Sequence, residues 1–126
     1  MKRILVVDDD DEFASVLAFA LQQREYIVEL AANGSDALQR VRRARFDVVV
    51  LDWTMPVMDG AAFLLACRRE AAANSLPVVV VSAAPEAATH GLRLGAAAVL
   101  PKPFRFDELE QVLARLIRAP ENDRGR

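Results

Sequence analysis

The chain has one cysteine, one histidine, one tyrosine and one tryptophan in 126 residues, and neither sign of charge dominates. A single cysteine, Cys67, excludes an intrachain disulfide and fits a reducing compartment. It lies at helical spacing among apolar neighbours and reads as core packing. The one histidine, His90, sits beside Gly91 and reads as a solvated residue, not a ligand or phosphoacceptor. With 16 Lys and Arg against 18 Asp and Glu, the formal charge is -2. The basic face that a free-standing nucleic-acid binder needs to release counterions is therefore missing. Arg40, Arg42, Arg43 and Arg45 form a local cluster that reads as a solvated helix end. The opening apolar run, residues 4–7, is too short for a signal segment or a membrane span, so a cytoplasmic location is expected. There is no internal repeat and no low-complexity tract.

What is present is a chain 53 % hydrophobic, enough to bury the core of one domain. Residues 4–7, 46–51, 76–81 and 97–100 are largely apolar runs of strand length, rich in valine in the first three and broken only by Asp47 and Pro77, as expected for strands covered on both faces. Residues 26–30 carry Glu29 between Val28 and Leu30, and this alternation predicts an edge strand with one wet face. Between these runs, apolar residues recur at helical spacing. Phe13, Val16, Leu17, Ala20 and Leu21 form the first such stripe, with Asp10 or Asp11 as its cap. Ala37, Leu38 and Val41 form the second, after an Asn33-Gly34 turn with Ser35 as cap. Phe63, Leu64 and Cys67 follow a loop punctuated by Pro56 and Gly60. Residues 86–94 are a weaker helix, since Gly91 costs about 1 kcal/mol there. Leu109, Val112, Leu113, Leu116 and Ile117 complete the series. Strands alternating with helices on short connections predict right-handed crossovers and an α/β fold. The expected fold is flavodoxin-like, a doubly wound five-stranded parallel sheet, (βα)5, in strand order 2-1-3-4-5. Residues 1–119 form the domain, and residues 120–126 are a polar tail or the start of a linker.

The charged residues that matter stand where strands stop. Asp8 and Asp9 follow the first run, Asp52 the third, Ser82 the fourth and Lys102 the fifth. A parallel sheet gathers these positions at its carboxyl edge, where such folds bind ligands. Two carboxylates about 4 Å apart repel by roughly 4 kcal/mol at an effective dielectric near 20. A hard divalent cation removes that penalty, and Mg2+ accepts a few carboxylates while leaving positions for phosphoryl oxygens. An ionised aspartate is already a nucleophile, so aspartyl phosphorylation needs positioning and charge neutralisation more than a base. Lys102 would supply a point charge and Ser82 a hydroxyl donor. Asp10, Asp11 and Glu12 read as helix-cap and dipole residues. Trp53 reads as a partly buried surface aromatic whose fluorescence reports on metal beside it.

The same residues resemble the receiver domains of two-component response regulators, over nearly the whole chain. The opening Ile4-Leu5-Val6-Val7-Asp8-Asp9-Asp10 is similar to the family's first strand and acidic pair. Asp52-Trp53-Thr54-Met55-Pro56-Val57-Met58-Asp59-Gly60 resembles its phosphoacceptor loop and is the most specific stretch. Pro77-Val78-Val79-Val80-Val81-Ser82-Ala83 and Leu100-Pro101-Lys102-Pro103-Phe104 resemble its hydroxyl and lysine segments. The resemblance implies phosphorylation of Asp52, with Ser82 and Lys102 holding the phosphoryl group. It implies Mg2+, with Mn2+ as substitute, on Asp9 directly, Asp8 through water, Asp52 and the Thr54 carbonyl. It also implies a cis Lys102–Pro103 peptide. The implied donor is a histidine kinase or histidine phosphotransfer protein, with small acyl phosphates replacing it in vitro. The implied chain is monomeric or dimerises on phosphorylation, and acts on a downstream protein or a tethered effector domain. It is no enzyme beyond catalysing its own phosphorylation and dephosphorylation. Residues 90–94 and 108–117 would be the output surface, with Leu92 or Leu94 facing a partner. Val99 stands where the family carries Tyr or Phe, so an aromatic swing is not available here. Thr54 and Ala84 would flank the hydrolytic water and set the phosphoryl lifetime.

Three other readings compete with this one. A haloacid-dehalogenase-type phosphatase needs a second aspartate two residues after the nucleophile, and Thr54 stands there. A flavin or nucleotide binder wants a Gly- or hydroxyl-rich phosphate loop after the first strand, where Asp8 and its acidic neighbours would repel phosphate. A degenerate receiver, acting only as a protein-interaction module, would have lost some of Asp8, Asp9, Asp52, Ser82 and Lys102.

Overall fold

Runs of valine, leucine and isoleucine have no polar side to turn outward, so they settle where helices cover both faces. In the computed structural model, which describes residues 1–71 and 73–118, three such runs fill the centre of a sheet. They are β1 (Arg3–Val7), β3 (Val48–Asp52) and β4 (Val78–Ser82), flanked by the edge strands β2 (Ile27–Ala31) and β5 (Ala98–Pro101). Every pairing is parallel and the order is β2-β1-β3-β4-β5, the expected flavodoxin-like arrangement. The crossovers are α1 (Asp11–Gln22), α2 (Gly34–Arg43), α3 (Gly60–Arg69) and α4 (Glu86–Arg93), and α5 (Phe106–Arg118) follows β5. Among the described residues no helix is long and apolar enough to cross a membrane.

Alternate residues of the central strands feed two cores. Leu5, Val7, Val49, Leu51 and Val80 pack with Phe63, Leu64 and Cys67 under α2, α3 and α4. Ile4, Val6, Val50, Val79 and Val81 pack with Leu17, Leu21, Leu109 and Leu113 under α1 and α5. Burial pushes the Cys67 thiol up to about 12, so it is a packing residue, as expected.

Several boundaries differ from the sequence expectation, each for a local reason. β3 and β4 start two residues late and end one residue late, so Asp52 and Ser82 belong to the ladder itself. Pro77 cannot donate to a ladder, and only its carbonyl is used, by the Val49 N–H at 3.0 Å. α1 turns Ala14, Leu17, Ala18 and Leu21 inward, leaving Val16 66 % exposed. Its segment is apolar almost all round, so spacing alone could not select the buried face. The α2 cap is Asn33, not Ser35, because Asn33 Oδ1 accepts the Asp36 N–H at 2.9 Å. The α1 cap is Asp10, whose carboxylate accepts the Phe13 N–H at 3.1 Å. β2 lacks a clean alternation: Ile27 and Leu30 are exposed, and the partly buried Glu29 bridges Arg3 and Arg40 at 3.5 and 3.2 Å. The expected boundary after residue 119, and the polar tail of residues 120–126, lie outside the described residues.

Candidate functional site

Neighbouring parallel strands end together, and the register sets which ends touch. Val7 pairs with Leu51, Asp52 with Val81, and Ser82 with Pro101. Asp8 thus emerges beside Asp52, Ser82 lies on the next strand, and Lys102 follows the strand beyond. Backbone hydrogen bonds extend past the strand ends: the Asp8 N–H donates to the Ala31 carbonyl at 3.1 Å and the Lys102 N–H to the Ser82 carbonyl at 2.9 Å. The Lys102–Pro103 peptide is cis.

Three carboxylates meet at this edge. Asp8, Asp9 and Asp52 each offer an oxygen within 4.8 Å of the others. Asp8 and Asp52 are buried, at 3 % and 8 % exposure, while Asp9 is open to solvent. The Asp10 N–H donates to Asp8 Oδ1 at 2.9 Å and holds that carboxylate in place. The Lys102 ammonium stands 3.4 Å from Asp8 Oδ2 and 3.6 Å from Asp52 Oδ1. One lysine cannot neutralise three acids. The Asp52 carboxyl is pushed up to about 6, first by burial and then by the charge of Asp8, with Asp9 adding to it. Lys102 and a backbone hydrogen bond from Thr54 act in the opposite direction. The surplus negative charge, carried on oxygen donors alone, fits a hard divalent cation such as Mg2+. Ser82 is buried, and its hydroxyl oxygen accepts the Ala84 N–H at 2.9 Å, leaving the hydroxyl hydrogen to donate.

The Asp52 shift has a measurable consequence in metal-free protein. A carboxyl that holds its proton to about pH 6 when folded, against 3.8 ordinarily, favours folding while protonated. Stability falls as pH climbs between those values, and the loss is complete above them. Asp52→Asn removes the charge and keeps the shape. It is therefore expected to raise the unfolding free energy at pH 7 by about 1–3 kcal/mol. The gain should shrink toward zero as pH falls to about 4, and shrink at pH 7 when Mg2+ is added. Urea denaturation of both chains across that range checks it; equal stabilities at pH 7 without metal would contradict the crowding.

The loop of residues 53–59 is held at both sides by glycines. The Gly34 N–H donates to the Met58 carbonyl and the Gly60 N–H to the Trp53 carbonyl, each at 3.0 Å. A Cβ on Gly34 would lie 2.6 Å from the Met58 carbonyl oxygen, and one on Gly60 2.8 Å from Trp53 Cα. Asp59 caps α3 through the Ala62 N–H at 2.9 Å. Gly60→Ala is expected to cost about 1–3 kcal/mol, because the obstructing atom is backbone and must move. Thermal unfolding measures this, and a cost under about 0.5 kcal/mol would mean that the loop yields freely.

All five sequence-predicted side chains converge, with Thr54 on the adjoining loop. Trp53 departs from expectation. It is buried at 7 % exposure under α4, its ring edge-on to exposed His90 at 5.5 Å between centroids. Gly91 in α4 faces Val99, Val80 and the Trp53 ring, at distances where a Cβ would make ordinary contacts. Leu92 is 55 % exposed and Leu94 packs on the core. Two arginines of the cluster are paired with acids, Arg42 in a two-pronged pair with Glu70 at 2.8 and 2.7 Å and Arg40 with Asp36 and Glu29. One contributor escaped the sequence reading: the Phe13 ring lies 4.5 Å from the Lys102 ammonium. Its only signal was an aromatic in the first turn after the acidic run.

Known proteins share this fold. The MprA response regulator of Mycobacterium sp. strain KMS is 40 % identical over 126 residues, covering 98 % of this chain and 54 % of the relative. The chain thus spans about half the length of the curated relatives it matches. The chemotaxis response regulator CheY4 of Vibrio cholerae superposes with a TM-score of 0.85 and 36 % identity, covering 92 % of this chain and 98 % of that one. The response regulator TrrA of Thermotoga maritima, solved in complex with Mg2+-BeF, gives 0.84 and 30 %, covering 92 % and 99 %. Residues 4–114 match the family model described as the response regulator receiver domain. From the strand order, the acidic edge and this match, the chain belongs to the receiver-domain family of two-component response regulators.

Proposed function

We propose that the chain is a Mg2+-dependent phosphoacceptor switch, receiving a phosphoryl group on Asp52 from a phosphohistidine and releasing it as phosphate by its own catalysis. The observation that carries this is the charge arrangement: three carboxylates with oxygens inside 4.8 Å, and a lysine ammonium 3.4 and 3.6 Å from two of them. Asp8, Asp9 and Asp52, with the Thr54 carbonyl, are the candidate ligands. Bound there, Mg2+ supplies positive charge opposite the phosphoryl oxygens. In the transfer, the donor's P–N bond breaks and its electron pair stays on the imidazole nitrogen, while a P–O bond forms at the Asp52 carboxylate. Lys102 and Ser82 supply donors to the oxygens of the arriving group. Hydrolysis then puts a water oxygen on phosphorus and returns the carboxylate.

The donor is a histidine kinase or a histidine phosphotransfer protein, met in the cytoplasm. The output falls on a downstream protein or a tethered domain, with residues 1–119 as the switching unit. That TrrA was solved with Mg2+-BeF supports the magnesium reading. Incubation with acetyl phosphate and Mg2+ is expected to add one phosphoryl mass to the intact chain, and chelation of Mg2+ beforehand to prevent it. No adduct under either condition would leave a protein-interaction module as the better reading.

A further inference from the structure

We infer that Phe13 is a positioning residue for Lys102, its ring face holding the ammonium over the acidic edge without using any of its hydrogen-bond donors. The inference rests on the role given to Lys102 under Proposed function. A lysine reaches its target on a flexible stem of four carbons and is free to swing into water. Here Lys102 is about a quarter exposed, and its contacts to Asp8 and Asp52, at 3.4 and 3.6 Å, are long. Those contacts alone hold it loosely. The ammonium also lies 4.5 Å from the centroid of the Phe13 ring, within the range of attraction between a cation and an aromatic face.

The ring is itself held. The Phe13 N–H is bonded to the capping carboxylate of Asp10 at 3.1 Å, so its place in the first turn of α1 is fixed. The Phe104 ring meets it edge-on, at 6.2 Å between centroids and 87° between planes. Phe104 lies two residues after Lys102, so the segment carrying the lysine also braces the aromatic that holds it. A carboxylate in place of the ring would attract the ammonium more strongly but would accept one of its three N–H donors and add to the negative charge. A ring face does neither, and the donors stay available to phosphoryl oxygens.

The test compares wild type with Phe13→Leu, Phe13→Tyr and Lys102→Ala, using acetyl phosphate as phosphodonor at saturating Mg2+. Leucine keeps an apolar helix-forming side chain and removes the ring. Phe13→Leu is expected to slow phosphorylation about fivefold, the factor that a cation–ring attraction of roughly 1 kcal/mol is worth. Its Mg2+ affinity, read from Trp53 fluorescence, should stay within about twofold of wild type, a separation that general unfolding would not produce. Phe13→Tyr restores a ring and should recover the rate. The Lys102 ε-methylene protons should resonate upfield in wild type and Phe13→Tyr, and lose that ring-current shift in Phe13→Leu. If Phe13→Leu is too unstable to assay, Phe13→Met takes its place with the same expectation. A wild-type rate in Phe13→Leu, with Lys102→Ala impaired, overturns the positioning role alone. A wild-type rate in Lys102→Ala overturns the role of the lysine, and this inference with it.

Discussion

Asp52→Asn is expected to take up no phosphoryl group from acetyl phosphate, a loss of at least about a thousandfold, because an amide offers no anionic oxygen to attack phosphorus. The substitution keeps the shape and the place of the side chain in the β3 ladder, where Asp52 pairs with Val81. It also removes the charge that burial and Asp8 make costly. The variant should therefore be dead to the phosphodonor and, without metal, more stable than wild type. A residue kept for packing would lose stability when changed and leave the chemistry alone. Intact-mass analysis under the conditions that label wild type checks the first half; a comparable adduct on the variant would place the acceptor elsewhere.

Asp9→Ala is expected to weaken Mg2+ binding at least about tenfold, or ~1.4 kcal/mol, with little change in folding stability, since Asp9 is exposed. Asp10, the next residue, supplies the contrast. Its carboxylate is occupied in capping α1 through the Phe13 N–H. Asp10→Ala should cost about 1 kcal/mol of stability and leave Mg2+ affinity within about twofold. Trp53 is the reporter for both, being buried next to Asp52. Equal losses of affinity at the two positions would mean that the acidic run binds metal diffusely rather than through placed ligands.

Most of the site was legible because its residues stand at strand ends, and the topology of a parallel sheet turns that one-dimensional fact into proximity. Asp8, Asp52, Ser82 and Lys102 needed only the strand order to be brought together. Cys67 and the central valines were legible because burial is what such side chains do. The stripe on α1 was not. Phe13, Val16 and Phe19 are as apolar as Leu17 and Leu21, and only packing against the sheet puts Val16 and Phe19 outside. The Asn33 cap over Ser35 was a choice between two competent side chains that the incoming backbone decided. The burial of Trp53 depends on α4 lying over it, and the clamp of Gly34 on Met58 joins elements more than twenty residues apart. Phe13 under Lys102 spans most of the chain, and no local pattern encodes a contact between a first turn and the segment after the last strand.

The most direct test is to locate the phosphoryl group. Trypsin cleaves after Arg45 and Arg68 and isolates Asp52 on one peptide, residues 46–68, while Asp8 and Asp9 lie on another, residues 4–24. After acetyl phosphate and Mg2+, borohydride reduces an aspartyl phosphate to homoserine with loss of phosphate, a mark that survives digestion. Mass spectrometry is expected to find that mark on residues 46–68 alone, at Asp52. A mark on residues 4–24, on the peptide carrying His90, or on none would contradict the account.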